Sequence, residues 1–196
     1  LAAVATVACL RRSASVAYGH TVFGSYLMTL LYDTFDSPIG ALTVAGDSQG
    51  IHHILFENNR YDAKGREHWQ RDAHALRGAR GQLLEYLRGE RHEFQLELAP
   101  VGTEFQLHVW HTLAQIPFGA TWSYRQLAER IGRPTATRAV GAANGRNPLP
   151  IVLPCHRVIG NNGTLTGFGG GLPTKAALLK LEGVVSEGER VADLFA

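Results

Sequence analysis

Cys155 is the residue of this sequence best suited to covalent chemistry. His156 and Arg157 follow it directly, and basic neighbours favour the thiolate, which is the nucleophilic form of the side chain. The preceding segment, 147–154 (NPLPIVLP), contains three prolines, which exclude a helix and predict a stiff, extended, apolar lead-in. A reactive sulfur must be held in a fixed position. The pattern therefore favours a nucleophile over the commoner role of a lone cysteine, that of a small buried hydrophobic residue.

Glu182 is the candidate partner of His156. It falls in the last turn of a predicted helix, where the helix dipole disfavours an anion. A carboxylate in such a position can orient a histidine, and the alternative is a solvated residue at a helix end. A thiolate–histidine–carboxylate set can attack a carbonyl carbon, as in cysteine hydrolases, or a saturated carbon to form a thioether. Spacing alone leaves both reactions open.

Two short helices precede the cysteine and form the skeleton of a helix-turn-helix. The first opens at the capping box SYRQ, 123–126, and ends at Gly132, and the second runs from Ala136 to about Asn144. The second helix is rich in Ala and Gly, which would let its backbone approach a nucleic acid closely, and it carries or adjoins Arg138, Asn144 and Arg146. A plain helical subdomain is the alternative from pattern alone.

Two more helices are predicted around this pair. A capping box at 103–106 (TEFQ) opens a helix whose apolar stripe is Phe105, Val109 and Leu113. Beyond the cysteine, a glycine-rich loop over 163–171 leads into a helix over 174–182, which ends at Gly183.

The first half has a different pattern. Strand-like residues start at Tyr32, and a hairpin is predicted to join 42–45 to 51–56. A helix is predicted over 75–87, and the alternation of Phe94–Leu98 predicts another strand. Together these patterns indicate an α+β (mixed α/β) fold.

Pro100 and Gly102 divide the chain into two predicted domains. We expect a small sheet-and-helix domain over 28–100 and a mainly helical domain over 103–186. Residues 1–27 read as a misassigned start or a disordered extension, because the sole methionine is Met28 and Arg11 and Arg12 interrupt the apolar stretch before it.

Composition excludes several classes of protein. The chain has 196 residues, of which 45% are hydrophobic and 18% charged, and no apolar run approaches the ~20 residues that span a bilayer. The only cysteines, Cys9 and Cys155, make a disulfide framework improbable, and no Cys/His group has the spacing of a zinc site. We therefore expect a monomeric cytoplasmic protein that binds no metal and no membrane.

Charge is distributed unevenly along the chain. Residues 28–102 hold 8 Lys and Arg against 11 Asp and Glu, whereas residues 103–182 hold 8 against 3. A basic second half indicates that this half meets a polyanion.

Five motifs in the second half stand in an order and spacing that resemble one known family. PCHRV at 154–158 resembles the active-site motif of the O6-alkylguanine-DNA alkyltransferases, also called methylated-DNA–protein-cysteine methyltransferases. The other motifs are SYRQLA at 123–128, RAVG at 138–141, NPLP at 147–150 and LLKLEG at 178–183. The resemblance is looser over 28–100, where DSPIGAL at 36–42 is similar to bacterial members without a zinc sensor domain.

This resemblance implies a set of catalytic roles. Cys155 would be the nucleophile and the permanent alkyl acceptor. His156 would act as its base through a water, with Glu182 orienting the imidazole. Asn147 would brace the turn between the recognition helix and the active-site segment, and Tyr124 would donate a proton to the departing guanine.

The resemblance also implies a mode of DNA binding. A winged-helix-like helix-turn-helix would enter the minor groove of double-stranded DNA containing O6-alkylguanine, and Arg138 would take the place of the flipped base in the stack. Tyr124 would crowd the target phosphate. The remaining residues expected on this surface are Arg125, Ala139, Gly141 and Asn144.

The implied reaction is irreversible, and it needs no cofactor because the protein is the second substrate. O4-methylthymine is implied as a second lesion. The chain departs from many members at Phe168, where they carry tyrosine, and at Gly169, where some carry a serine that bonds the base. Substrate contacts there would fall to backbone groups.

Overall fold

A computed structural model describes residues 29–184 of the chain. The expectation for residues 1–27 lies outside the described residues. The described chain begins with a sheet and one helix and continues as a mainly helical half, so the predicted α+β class is confirmed.

The first half is built on a four-stranded sheet with the order β3-β2-β1-β4. Its strands are β1 (Leu31–Phe35), β2 (Leu42–Asp47), β3 (Gly50–Phe56) and β4 (Gln70–Arg71). The predicted hairpin is confirmed as the antiparallel pair β2–β3. Strand β1 pairs antiparallel with β2 and parallel with β4, which follows a long loop over 57–69.

Helix α1 (Arg77–Leu87) confirms the predicted helix and contacts β1, where Arg80 lies 3.4 Å from Asp33. The predicted strand at Phe94–Leu98 is wrong, because this segment is irregular and forms only one isolated bridge, between Leu98 and Ile51. Phe94, Leu96 and Leu98 do turn towards the hydrophobic core. The alternating pattern therefore arises because every second side chain is buried. It does not require the ladder of backbone hydrogen bonds that defines a strand.

The second half contains α2 (Glu104–Leu113), α3 (Tyr124–Arg130), α4 (Thr137–Asn144) and α5 (Leu172–Leu181). Both predicted capping boxes are present, with reciprocal bonds between Thr103 and Gln106 and between Ser123 and Gln126. Helices α3 and α4 form the predicted pair. The short strands β5 (Trp122–Ser123) and β6 (Val158–Ile159) pair in parallel beside them.

The segment 147–154 is not extended as predicted but folds into successive turns. The backbone N–H of Leu153 donates to the carbonyl of Leu149 at 2.9 Å, and Ile151 takes the left-handed conformation with φ of 75°. That conformation costs a β-branched residue about 1–3 kcal/mol. Prolines exclude a helix but permit turns, and the burial of Ile151 holds the segment in this shape.

One hydrophobic core joins the two halves. The backbone N–H of Ile54 in β3 donates to the carbonyl of Pro148 at 2.8 Å, and the Phe56 and Phe168 ring centroids are 5.3 Å apart. Within residues 29–184, none of the helices combines the length and apolar character needed to cross a membrane.

Candidate active site

Cys155 opens a single 3-10 turn, Cys155–Arg157, directly after Pro154. Its side chain is 4% exposed and borders a cavity of about 450 Å³ that both halves of the chain line. Asn147 belongs to the wall from the second half and His53 to the wall from the first. The thiol is thus removed from bulk water but open to a molecule that enters the cavity.

The thiol of Cys155 is protonated at neutral pH. Burial raises its pKa from 9.0 to about 11, although the Asn147 side chain and the positive charge of Lys175 partly offset this effect. The expectation that His156 and Arg157 favour the thiolate is not met. Both side chains are buried and both bind Glu182. A base must therefore remove the thiol proton during reaction.

His156 is held by a carboxylate and a phenol. Its Nε2 lies 2.9 Å from Glu182 Oε1 and 3.3 Å from the hydroxyl of Tyr86, which itself donates to Glu182. All three side chains are buried. The predicted pairing of His156 with Glu182 is present in this geometry, and Tyr86 of α1 adds a contact from the first half.

Glu182 also receives a two-pronged ion pair from Arg157. The Arg157 Nε lies 2.9 Å from Oε2 and its Nη2 lies 2.8 Å from Oε1, while the backbone N–H of Gly119 donates to Oε2 at 3.2 Å. Burial alone would raise the pKa of Glu182, but the bonds and charges of His156 and Arg157 outweigh it and lower this pKa from 4.5 to about 2. The carboxylate is therefore charged throughout the physiological range.

The arrangement fixes which nitrogen of His156 can accept a proton. Burial lowers the pKa of the imidazole more strongly than the Glu182 carboxylate raises it, so the ring is neutral at pH 7. Because Nε2 faces a permanent acceptor, we assign the proton to Nε2. Nδ1 is buried and makes no hydrogen bond with the described residues. It is the free acceptor of the site.

Lys175 is a charged group that the sequence analysis missed. It lies on α5, is 0% exposed, and donates from Nζ to the carbonyls of Val158 at 2.5 Å and Thr166 at 2.9 Å. Burial lowers its pKa from 10.5 to about 8, and the charge of Cys155 acts in the opposite direction. No ion pair with a carboxylate is found for Lys175 among residues 29–184, and the charge that acts on its pKa is that of Cys155.

Asn147 ties the turn segment together. Its side-chain amide donates to the carbonyl of Leu153 at 2.7 Å, and its Oδ1 accepts from the backbone N–H of Leu149 at 3.0 Å. These bonds connect the end of the helix pair to the residues before Cys155. A residue that braces this turn would make such bonds.

Asn144 does not lie on the DNA-facing surface where it was expected. It is 2% exposed, and its side-chain amide donates to the carbonyl of Cys155 at 3.4 Å. Position 144 is the last residue of α4 and is buried with Val140 and Ala143, because α4 packs on α2 and α3. The residue supports the cysteine turn instead.

Tyr124 and Arg138 border a second cavity, of about 460 Å³, next to the first. Tyr124 packs on α4 at Gly141, where a Cβ would lie 3.6 Å from its ring, and burial raises the pKa of its hydroxyl. Arg138 and Ala139 are exposed on α4. Arg125 is exposed on α3, where its Nε lies 3.2 Å from Glu129.

Two protein-family models match the chain, and they account for both halves. One is described as 6-O-methylguanine DNA methyltransferase, DNA binding domain, and covers residues 104–184. The other is the ribonuclease-like domain of the same methyltransferase and covers residues 30–100. A relative named methylated-DNA–protein-cysteine methyltransferase, from Mycobacterium tuberculosis, is 50% identical over 77% of this chain and 91% of its own length. The chain belongs to the 6-O-methylguanine DNA methyltransferase family.

A second relative and a solved structure match the chain over most of their length. The methylated-DNA–protein-cysteine methyltransferase of Methanosarcina acetivorans is 47% identical over 79% of this chain and 99% of its own. The crystal structure of M. tuberculosis OGT in complex with DNA has a TM-score of 0.75 and 50% identity, and the match covers 78% of this chain and 93% of that one. The family suggested by the sequence motifs is thus confirmed.

Three residues of this methyltransferase site escaped the sequence analysis: Tyr86, Arg157 as a partner of Glu182, and Lys175. A signal for Lys175 is present on α5. Lys175, Leu178, Leu179 and Glu182 follow the spacing of a buried helix face, so two charges stand on an apolar stripe. Buried charges at such positions require partners, which points to a site.

Proposed function

We propose that this protein repairs DNA by moving the alkyl group of O6-alkylguanine, and also of O4-methylthymine, permanently onto Cys155. One observation carries the proposal. The buried Cys155 faces a cavity next to a second one at the exposed Arg138 of helix α4, and the neighbouring imidazole is a neutral base with one free nitrogen. Such a site suits a base that has left the DNA stack. The protein would act as a cytoplasmic monomer without a cofactor.

The proposed reaction begins at the thiol. The Cys155 proton passes through a water to Nδ1 of His156, and the resulting imidazolium is stabilised by the Glu182 carboxylate, which lies 2.9 Å from Nε2. The thiolate then attacks the alkyl carbon. The new S–C bond forms as the C–O6 bond breaks, and the electron pair goes to the guanine.

The departing guanine needs a proton. Tyr124 would supply it, because burial raises the pKa of its hydroxyl and keeps it protonated until negative charge develops on the base. The proton held by His156 can then restore the phenol through solvent. The thioether has no route back to a thiol, so each molecule would react once.

Access to the alkyl carbon requires extrusion of the damaged nucleotide, which costs a few kcal/mol and least for a weakly paired lesion. Helix α4 would enter the minor groove, where Ala139 and Gly141 permit close approach. Exposed arginines, Arg125 among them, would bind phosphates in a salt-dependent, sequence-independent way.

The mass of the protein after reaction tests this function. We expect incubation with a duplex containing O6-methylguanine to add one methyl group, on Cys155, and the Cys155→Ser variant to gain none. Tight duplex binding without an adduct would instead indicate a DNA-binding module with a structural cysteine. Repeated turnover of an ester would indicate a cysteine hydrolase.

Arg138 is expected to matter for duplex substrates only. The Arg138→Ala variant should lose at least ten-fold in the rate of methyl transfer from duplex DNA, because the exposed side chain that replaces the flipped base in the stack is removed. Its reaction with free O6-methylguanine base should stay near the wild-type rate, since no stack is opened. Single-turnover assays on both substrates measure the two rates, and equal losses would contradict the role.

A further inference from the structure

Tyr61, in the loop over 57–69 of the first half, is an aromatic residue whose side chain is exposed. Its side chain is 46% exposed, and among the large hydrophobic residues of the described chain only Val101 is also exposed. Tyr61 lines both cavities of the site, the one that reaches Cys155 and the one that Tyr124 and Arg138 border. It therefore stands at their junction.

The loop that carries Tyr61 is fixed against the active site. The backbone N–H of Arg60 donates to the carbonyl of Gly169 at 2.9 Å, and the Asn59 side chain donates to the carbonyl of Tyr61. Phe56 packs so closely on the glycine-rich loop that a Cβ at Gly170 would lie 2.6 Å from its ring. The backbone on either side of Tyr61 is thus held against the glycine-rich loop of the second half.

The surroundings of the ring suit an apolar group. The Arg60 guanidinium lies 5.5 Å from the centre of the Tyr61 ring, which places a cation beside one side of it. The wall of the cavity that Tyr61 shares with Cys155 includes charged side chains, among them Asp62, Lys64 and Arg146. It also has an apolar part, formed by Leu55, Ala63, Val101, Trp110, Pro148 and Pro150. Its volume of about 450 Å³ is far larger than a methyl group needs.

The geometry of alkyl transfer determines which part of the substrate would occupy this cavity. Attack on a saturated carbon requires the sulfur, the carbon and the departing oxygen to lie in line, so other substituents on that carbon project sideways. With the extruded base in the site and its alkyl carbon at Cys155, those substituents would extend into the cavity that Cys155 shares with Tyr61.

We propose that Tyr61 is a specificity-determining residue that packs against O6 substituents larger than methyl, aromatic ones above all. This inference rests on the proposed alkyl transfer and names a substrate class for it. The first half of the chain, which carries Tyr61, thereby sets the size of lesion that the second half repairs.

Transfer rates from duplexes containing O6-methylguanine or O6-benzylguanine test the inference. In the Tyr61→Ala variant we expect the second-order rate constant for benzyl transfer to fall roughly ten-fold, the value of one aromatic contact. Methyl transfer should fall much less, so that the benzyl-to-methyl ratio drops. The Tyr61→Phe variant keeps the ring and should restore the wild-type ratio.

An unchanged ratio in Tyr61→Ala overturns the inference, whether both rates stay the same or both fall equally as in a merely structural defect. A wild-type protein that transfers methyl but not benzyl groups also overturns it while leaving the proposed function intact. A wild-type protein that transfers neither group contradicts the proposed function itself.

Discussion

Replacing Glu182 by glutamine is expected to slow alkyl transfer at least 100-fold and to reduce the free energy of unfolding by about 3–5 kcal/mol. The two carboxylate oxygens accept from the side chains of His156, Tyr86 and Arg157 and from the backbone of Gly119. A glutamine would turn an NH2 group towards some of these donors and leave the Arg157 charge buried without its counter-charge. It would also remove the anion that stabilises the imidazolium.

Single-turnover rates on a duplex containing O6-methylguanine and urea unfolding measure the two effects. Glu85→Gln is the matched control, because Glu85 accepts from Arg91 Nε at 2.7 Å in a partly exposed ion pair. We expect that control to lose less than about 1 kcal/mol and to keep the wild-type rate. If Glu182→Gln reacted at the wild-type rate while folded, the proton path through His156 would be refuted.

The same carboxylate predicts the behaviour of the protein in acid. Its pKa is about 2 in the folded protein against an ordinary value of 4.5, so its contribution is fully present above pH 4.5 and is lost as the pH falls towards 2. The contribution amounts to about 3 kcal/mol. Between pH 5 and pH 2, the free energy of unfolding should therefore fall more steeply with pH in the wild type than in Glu182→Gln. Equal pH dependence in the two proteins would contradict the lowered pKa.

Helices were predictable here because their signals are local. Helix ends were predicted from a few residues each, without reference to the rest of the chain. These are the capping boxes at Thr103 and Ser123, where helices begin, and Gly183, where one ends. The errors lie at Phe94–Leu98 and at 147–154, where the backbone conformation depends on a contact with a distant segment. A segment with alternating side chains becomes a strand only if a second strand pairs with it. The sequence of the segment itself does not show whether such a strand is present.

The site was predictable to the extent that its members flank the cysteine or match the motifs. Cys155, His156, Glu182 and Asn147 lie together as expected. The sequence could not reveal that Tyr86, 70 residues before His156, would reach the same carboxylate, because that depends on how α1 docks. Nor could it reveal that Asn144 points inward, because the face of α4 that is buried is chosen by α2 and α3.

Lys175 and Glu182 carry opposite charges and would stabilise different species in the proposed reaction. In the proposed reaction, Glu182 would stabilise the proton after it has left the sulfur, and Lys175 would stabilise the negative charge that the sulfur retains. Lys175 lies on the buried face of α5, and Glu182 is the buried residue that directly follows this helix. Among the described residues, the buried ammonium contacts two carbonyls and lies 5.9 Å from the centre of the Tyr124 ring, with no carboxylate partner. Its burial is costly, as the lowered pKa of about 8 indicates. The benefit of retaining it would appear only when the thiolate forms.

The Lys175→Met variant is accordingly expected to transfer alkyl groups about ten- to 100-fold more slowly at pH 7, because methionine fills the same space without charge. The pKa of the Cys155 thiol, about 11 in the wild type, should rise further without the ammonium, and the thiolate fraction falls ten-fold for each pH unit of that rise. Single-turnover rates of both proteins between pH 6 and pH 10 measure the effect. Lys180→Met, on the exposed side of the same helix, serves as the control and should react like the wild type.

The pH dependence separates this electrostatic role from a packing role. Lys175 loses its own proton as the pH rises through about 8, so its help to the thiolate is greatest below pH 8 and fades above it. The wild-type advantage over Lys175→Met should therefore shrink between pH 8 and pH 10. A constant ratio across this range would mean that the variant only disturbs the packing of α5 against the cysteine turn, because packing does not titrate.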